Sequence, residues 1–311
     1  MTQKNKNLHA AKRIKNDEFY TKIEDVEDEL KHYKEHLKGK GIGCDCDDPS
    51  KSAFVKHLAL KFDDYELEHV ISTHYGPSQL SFMEPHQPSY MLKIIEEIKS
   101  VDELDKLERI PLKEGGDFRS EECIRLLKKM DIVVTNPPFS LFREYIARLI
   151  KYGKKFLIIG SMNAITYKEV FPLIKNNQIW LGRNSVNEFI TPDGKIKKFG
   201  NIVWYTNLTH KKRNEELVLV KKYKGNKKEY PKYDNYDAIN VNKIVDIPVD
   251  YDGVMGVPIT FLNKHNPEQF EIIGLAAGNI RGLAGIPSST GKDGPYVNGK
   301  LKYGRILIRR K

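Results

Sequence analysis

The stretch Asp131-Ile132-Val133-Val134-Thr135-Asn136-Pro137-Pro138-Phe139 decides the fold. Its apolar run reads as a buried strand, and the two prolines end that strand on a stiff turn. Asn136 then stands at the strand's rim with a side-chain amide. An aromatic amine such as adenine N6 is a poor nucleophile, because its lone pair is delocalised into the ring. The Asn136 amide oxygen and the Pro137 carbonyl can each accept one of its N–H bonds, which favours pyramidal geometry as a new N–C bond forms. Phe139 is placed to stack on an extruded base. Pro137 and Pro138 restrict the backbone, so alignment costs little entropy at reaction. Asn-Pro alone is a common turn signal, but the full tetrapeptide behind a buried strand is more demanding. The expectation is an enzyme that methylates an amino group of nucleic acid.

Working outward, strands and helices alternate. Val26, Leu30, Tyr33 and Leu37 recur at helical spacing, and Thr21 with Glu24 resembles a capping box in front of them. Residues 42–46 predict a first strand, Ala53 to Leu60 a helix, and Val70 to Tyr75 a second strand. Tyr90 to Leu107 is predicted helical, with Leu92, Ile95, Ile98 and Val101 near one face. Cys123, Leu126 and Leu127 predict a helix before the central strand. Leu141 to Ile150 predicts another helix, and Lys155 to Gly160 another buried strand. The alternation predicts an α/β fold with a mostly parallel sheet covered by helices. Beyond Gly160 short strands are predicted at 179–181, 202–205 and 217–220, then at 270–274 and 305–308. The expected organisation is an α/β core over 1–165 and an appended region over 166–311, whose later strands return to the core.

The 311 residues suffice for one large core and a smaller appended region. With 40% hydrophobic and 30% charged residues, global disorder is not expected. The net charge of +10 favours a polyanionic partner without separating DNA from RNA. Acidic residues concentrate in the first 130 positions, whereas the stretch from Lys195 to Lys232 is strongly basic. Three cysteines make no disulfide framework, and no metal site is expected. No apolar stretch approaches membrane-spanning length, so the cytoplasm of a prokaryotic cell is expected, with a phage or plasmid as a further source of the gene.

Asp48-Pro49 falls where the first strand yields to a helix. A carboxylate there can bind the ammonium of a methionine moiety, while the helix N-terminus meets its carboxylate. Asp45 and Asp47 are alternatives for the same contact. Asp117 can accept from a cofactor adenine amino group, with Phe118 stacking on the ring.

These motifs together resemble the adenine-specific DNA methyltransferases of restriction–modification systems, in particular the EcoRI modification methylase family, from Asn16 to Arg310. The resemblance implies a Rossmann-like fold dependent on S-adenosylmethionine, with an appended region that reads duplex DNA. It implies cofactor binding and catalysis for 1–165 and target recognition for 166–311. Asn136-Pro137-Pro138-Phe139 is its motif for methylating an amino group. Phe19-Tyr20-Thr21 resembles the segment that closes over the cofactor. Cys44 to Pro49 resembles the family's cofactor loop, which places Asp45, Cys46, Asp48, Pro49 and Ser50 at the cofactor. Phe261 to Lys264, with Pro267 to Phe270, resembles its C-terminal signature. The sequence departs from the wider pattern in two places. Ser50 and Ser52 stand where glycines are usual, and His74 and Tyr75 stand where an acid would meet the ribose.

Lys195, Lys197, Lys198, Lys211, Lys212 and Arg213 form a cluster expected to grip DNA phosphates. Asn184, Asn187 and Asn207 are candidates for reading adenine edges. Tyr167 is a candidate for lining the flipped-base pocket, and Arg281 lies in a further polar stretch. A monomer is expected, genetically paired with a restriction endonuclease without a stable complex. Two other readings stay open: methylation of an RNA base amino group, and a non-catalytic DNA-binding protein with the same fold.

Overall fold

Residues 20–46, 48–76, 88–191, 193–278 and 282–311 are described by a computed structural model. The chain divides into two compact units, Met1–Met162 with Gly182–Leu208, and Asn163–Leu181 with Thr209–Lys311.

The first unit is built on strands β1 (Tyr20–Thr21), β2 (Gly41–Cys44), β3 (His69–His74), β4 (Tyr90–Ile94), β5 (Ile110–Pro111), β6 (Ile132–Thr135), β7 (Lys155–Ser161), β8 (Trp180–Ile190) and β9 (Ile196–Thr206). They form one sheet in the order β1-β8-β9-β7-β6-β2-β3-β4-β5. Its centre, β7-β6-β2-β3, is parallel, and every residue of β2 and β6 is buried. Antiparallel strands flank this centre on both sides. The arrangement is a Rossmann-like sheet, and the apolar runs of its central strands follow from burial on both faces. Helices α1 (Ile23–Leu30), α2 (Lys34–Leu37), α3 (Ala53–Leu60), α4 (Glu121–Lys129) and α5 (Phe142–Lys151) accompany it. Val26, Leu30, Tyr33 and Leu37 are all fully buried in the core, where Phe54 meets Trp204 edge-on at 5.7 Å.

Four expectations are corrected. Tyr90 to Leu107 is not a helix but β4 followed by a 3₁₀ turn over Val101–Lys106. Tyr90, Leu92 and Ile94 are buried at every second position, whereas Ile95 is 65% exposed. The period is therefore two, which masquerades as helical when Ile98 is counted with it. Thr21 caps nothing: Lys22 precedes α1 without a side-chain cap, and Thr21 pairs with Phe189 instead. The strands foreseen at 179–181 and 202–205 are too short: β8 and β9 run for eleven residues each, mostly polar beyond those positions, and Ile179 itself precedes β8. Residues 217–220 form no strand, and Val218 and Val220 stand 80% and 74% exposed.

The second unit contains α6 (Phe171–Lys175) and strands β10 (Ile239–Asn240), β11 (Met255–Pro258), β12 (Phe270–Ala276) and β15 (Arg305–Arg310), ordered β10-β11-β15-β12. A two-stranded ribbon, β13 (Tyr296–Val297) with β14 (Lys300–Leu301), joins them. Gly274 lies at a bulge in β12, where a Cβ would fall 1.8 Å from the Ala284 carbonyl oxygen. Only a glycine lets the two backbones approach this closely. The residues of the C-terminal signature serve this unit's packing. Phe261 meets Phe270 edge-on at 5.3 Å, and the Gln269 amide clamps both backbone groups of Leu217 at 2.9 and 2.8 Å.

Candidate active site

β3 pairs on one side of β2 and β6 on the other, so the strand order reverses between β2 and β6. Open α/β sheets collect ligands at the carboxyl ends of strands beside such a reversal. Asn136 and Pro137, directly behind β6, are both buried, and Asn136 is 9% exposed. Pro138, with φ −55°, leads into a 3₁₀ turn over Phe139–Leu141 that runs into α5. Leu141 N–H closes the turn on the Pro138 carbonyl at 2.9 Å. Phe139 is half-buried, and Phe189 holds its ring edge-on at 6.3 Å and 88°.

Behind β2, Asp45 and Asp48 differ in burial. Asp45 turns into the core, 5% exposed, and accepts a hydrogen bond from the Tyr145 hydroxyl. Burial pushes its carboxyl up, opposed by the Tyr145 bond and by the positive charge of Arg148. Cys46 Sγ lies 3.8 Å from the same carboxylate. Asp47 lies outside the described residues. Asp48 Oδ1 accepts from Ser50 N at 3.1 Å, Ser50 Oγ at 2.8 Å and the Tyr90 hydroxyl at 3.3 Å. Ser52 caps α3 by accepting from Val55 N at 3.4 Å. The serines thus close the loop through their hydroxyls, where a glycine-rich turn would use bare backbone.

The second strand brings His74 to the same place, with its Nδ1 3.9 Å from Asp48 and its ring 5.1 Å from that of Tyr90. The Gly115–Phe118 turn presses on the end of β3: Gly76 N donates to the Gly115 carbonyl at 3.1 Å. Gly116, at φ +70°, has no room for a side chain, since a Cβ would lie 2.4 Å from the His74 carbonyl oxygen. Asp117 accepts from Arg119 Nε at 2.9 Å and Nη2 at 2.7 Å, and those bonds hold its carboxyl below the usual range. Phe118 is 6% exposed and packs edge-on against Tyr145. Arg148 is 8% exposed and lies 5.3 Å from the Phe118 ring. Its three guanidinium nitrogens have no hydrogen-bond partner among the described residues. Sequence reasoning did not mark Arg148 or Tyr145, because both sit on the buried face of an ordinary amphipathic helix.

β1 carries the segment expected to close over the cofactor. Tyr20 pairs with Ile190 and Thr21 with Phe189, and Lys51 Nζ of the cofactor loop lies 5.7 Å from the Tyr20 ring centroid. Closing segment and loop are therefore neighbours. Phe19 lies outside the described residues.

The family model for the adenine-specific methyltransferase EcoRI matches residues 7–311. The chain belongs to this family. It is 47% identical over 328 aligned positions to the Type II methyltransferase M.EcoRI of Escherichia coli, covering 99% of this chain and 97% of that one. It is 37% identical to the Type II methyltransferase M.MgeORF184P of Mycoplasma genitalium, covering 97% and 98%. It is 36% identical to the Type II methyltransferase M.MpnI of Mycoplasma pneumoniae, covering 98% of each chain. No solved structure matches the chain. The protein is a DNA adenine-N6 methyltransferase that uses S-adenosylmethionine as methyl donor.

The site fits that donor. Asp48 keeps one oxygen, Oδ2, whose only ion-pair neighbour among the described residues is the exposed Lys51 at 3.8 Å, and this oxygen suits an ammonium. Asp45 has its carboxylate committed inside the protein, and Asp117 has its own committed to Arg119.

The basic cluster is distributed over both units. Lys195 directly precedes β9 in the first unit, and Lys197 and Lys198 lie on that strand's exposed start. Lys195 pairs with Asp193 at 2.8 Å and Lys198 with Glu188 at 3.4 Å. Lys211, Lys212 and Arg213 form a 3₁₀ turn in the second unit. There the Arg213 guanidinium carbon lies over Trp180, 3.9 Å from the ring centroid, and the side chain donates to Asn177 Oδ1 at 3.0 Å. Tyr167 is a half-buried residue of the second unit. Two of the asparagines foreseen as base readers are engaged inside the protein. Asn207 bonds Phe156 N and the Lys154 carbonyl, each at 2.9 Å, and Asn184 donates to the Asp28 carbonyl at 3.0 Å. Asn187 is exposed, and Arg281 lies outside the described residues. Among the described residues, no helix is long and apolar enough to cross a membrane.

Proposed function

We propose that Asn136 Oδ1 and the Pro137 carbonyl accept the two N–H bonds of a flipped adenine's N6, and that Phe139 covers the base. S-adenosylmethionine, when bound, supplies a methyl carbon made electrophilic by its positive sulfur. With that donor bound, the carbon–sulfur bond would break as N6 formed the new bond to carbon, and one N6 proton would leave to water. The protein's part is to orient the amine and exclude other geometries. Asp48 holds the donor's ammonium, Pro49 and Ser50 shape the loop around its tail, and Tyr20 and Thr21 close over it. Asp45 and Cys46 support the loop from inside, and the Asp117–Phe118 turn bounds the side at β3. The observation that carries this reading is the placement of Asp48 and Asn136 behind β2 and β6, adjacent parallel strands.

We further propose that Lys195, Lys197 and Lys198 of the β8–β9 hairpin and Lys211, Lys212 and Arg213 of the second unit meet DNA phosphates. The second unit, with Tyr167, provides target recognition. One pocket per chain admits one base, so a monomer would modify one strand of a short duplex site at a time. In a bacterial cytoplasm this protects DNA from an endonuclease of the same specificity without a stable complex. Expression in a host lacking adenine methylation, followed by single-molecule sequencing, tests the reading. N6-methyladenine recurring within one short motif is the expected result. A genome without N6-methyladenine, from cells containing folded protein, would overturn it.

A further inference from the structure

Phe189 stands where three parts of the first unit meet. Its backbone pairs in register with Thr21 of β1. Its ring, fully buried, meets Phe139 edge-on at 6.3 Å and Phe199 edge-on at 5.4 Å. Lys197 Nζ lies 5.2 Å from the Phe199 ring centroid. The preceding residue, Glu188, binds both Lys22, beside β1, and Lys198 of β9, the latter at 3.4 Å. Two consecutive residues therefore join the closing strand, the aromatic of the catalytic motif and the lysine-bearing hairpin.

We propose that Phe189 is a positioning residue through which duplex DNA and the cofactor each raise the protein's affinity for the other. The proposal rests on the reading that Phe139 faces the target base, β1 closes over the cofactor and the hairpin lysines meet phosphates. A buried ring with edge contacts to two other rings does not move alone, because packed interiors hold discrete arrangements. Phosphates compete with Glu188 for Lys198 and with the Phe199 face for Lys197. A DNA-bound hairpin leaves Glu188 to Lys22, which favours β1 lying on β8. A cofactor that holds β1 in turn fixes Phe189 and, with it, the ring of Phe139. Coupling of this kind is reciprocal by thermodynamic necessity. A residue that merely fills the core would change stability and leave the coupling untouched.

Calorimetry with S-adenosylhomocysteine, which cannot transfer a methyl group, tests the proposal on the full chain. The duplex partner carries the motif found methylated in expressing cells. The parental protein should bind S-adenosylhomocysteine at least about fivefold more tightly with the duplex present, a typical lower size for allosteric coupling. In Phe189→Leu that ratio should fall to near one, with each separate affinity within about twofold of parental on the same footing. A parental ratio of one, or a parental ratio retained in Phe189→Leu, would overturn the proposal. Should the variant not fold, hydrogen exchange of the parental protein decides. Duplex without cofactor should slow the amides of Tyr20 to Lys22, and unchanged exchange would overturn the idea. Asn136→Ala separates the two claims: it should lose turnover and keep the ratio. An active Asn136→Ala protein with an intact ratio would defeat the site reading and leave the coupling standing.

Discussion

Replacing Asn136 by alanine removes the side-chain acceptor for the target amine while leaving the turn's two prolines in place. Asn136 sits among buried groups: Thr135 is fully buried, Asn136 is 9% exposed and Pro137 is buried. In such surroundings a preorganised hydrogen bond made in the transition state is worth about 3–4 kcal/mol, which is roughly a 10²–10³-fold loss in kcat. The alternative is that Asn136 acts as a donor that braces the turn. Asn136→Asp distinguishes the two, because aspartate keeps acceptor oxygens and loses the N–H donors. An acceptor role predicts that Asn136→Asp retains clearly more activity than Asn136→Ala, whereas a bracing role predicts no advantage. The assay is single-turnover transfer of a labelled methyl group to the duplex motif, which separates chemistry from product release. S-adenosylhomocysteine binding should stay within about twofold of parental in both variants, since the lost bond belongs to the base. Near-parental turnover in Asn136→Ala would refute the reasoning.

Asp48→Ala should weaken S-adenosylhomocysteine binding by roughly ten- to a hundredfold, as expected for a charge-assisted bond, and unchanged affinity by calorimetry would place the ammonium elsewhere. Changing Lys197, Lys198 and Lys212 together to alanine should reduce affinity for unrelated duplexes alike. It should also flatten the slope of log K against log salt by up to roughly 2.7, about 0.9 per phosphate contact, and an unaltered slope would move the DNA face. His265, buried in the second unit, donates through Nε2 to the Phe270 carbonyl at 3.0 Å, and burial pushes its imidazole down to about 4. Between pH 6.5 and 4 the unfolded chain binds a proton that the folded protein refuses, so this contribution is complete above 6.5 and lost as pH falls. Roughly 3 kcal/mol of stability should vanish across that window, and His265→Gln should show a correspondingly shallower loss in urea unfolding.

The parts legible in sequence were those written in consecutive residues. The buried runs of β2, β6 and β7 announced themselves, and Asn136-Pro137-Pro138-Phe139 marked where β6 ends in a turn. Elements whose side chains alternate were misread, as at Tyr90 to Ile94, because a few apolar residues fit either period. The long hairpin escaped for a related reason. Its polar positions from Arg183 to Glu188 and from Lys197 to Asn201 are extended by pairing rather than by local preference, which only the partner strand reveals. Contacts between distant positions were invisible. Buried Glu29 accepts from Tyr33 at 2.9 Å and from the backbone N–H groups of Arg183 and Asn184 at 2.7 and 2.8 Å, and nothing near Glu29 in sequence marks it. The Leu217–Val220 run shows the opposite error, since Gln269 occupies the backbone of Leu217 where a neighbouring strand would otherwise pair.

Asp45 and Asp48 are three positions apart, and sequence alone offers either for the cofactor. Their surroundings differ, and the tasks proposed for them differ accordingly. Asp45 is enclosed with Tyr145 and Arg148, and burial pushes its carboxyl up while the neighbouring hydroxyl and guanidinium pull against that shift. Arg148 has no hydrogen-bond partner among the described residues, so the Asp45 charge is one of the few compensations near this buried cation. Asp45→Asn keeps an acceptor for Tyr145 and removes the charge. A buried cation left without its counter-charge costs about 3–5 kcal/mol, so the variant should unfold at markedly lower urea. S-adenosylhomocysteine affinity should change little in the folded fraction. Replacing both residues, as Asp45→Asn with Arg148→Met, should recover part of the loss, because the two effects are not independent. If Asp45→Asn instead keeps its stability and loses cofactor affinity, Asp45 faces the cofactor and the division of labour along this loop is reversed.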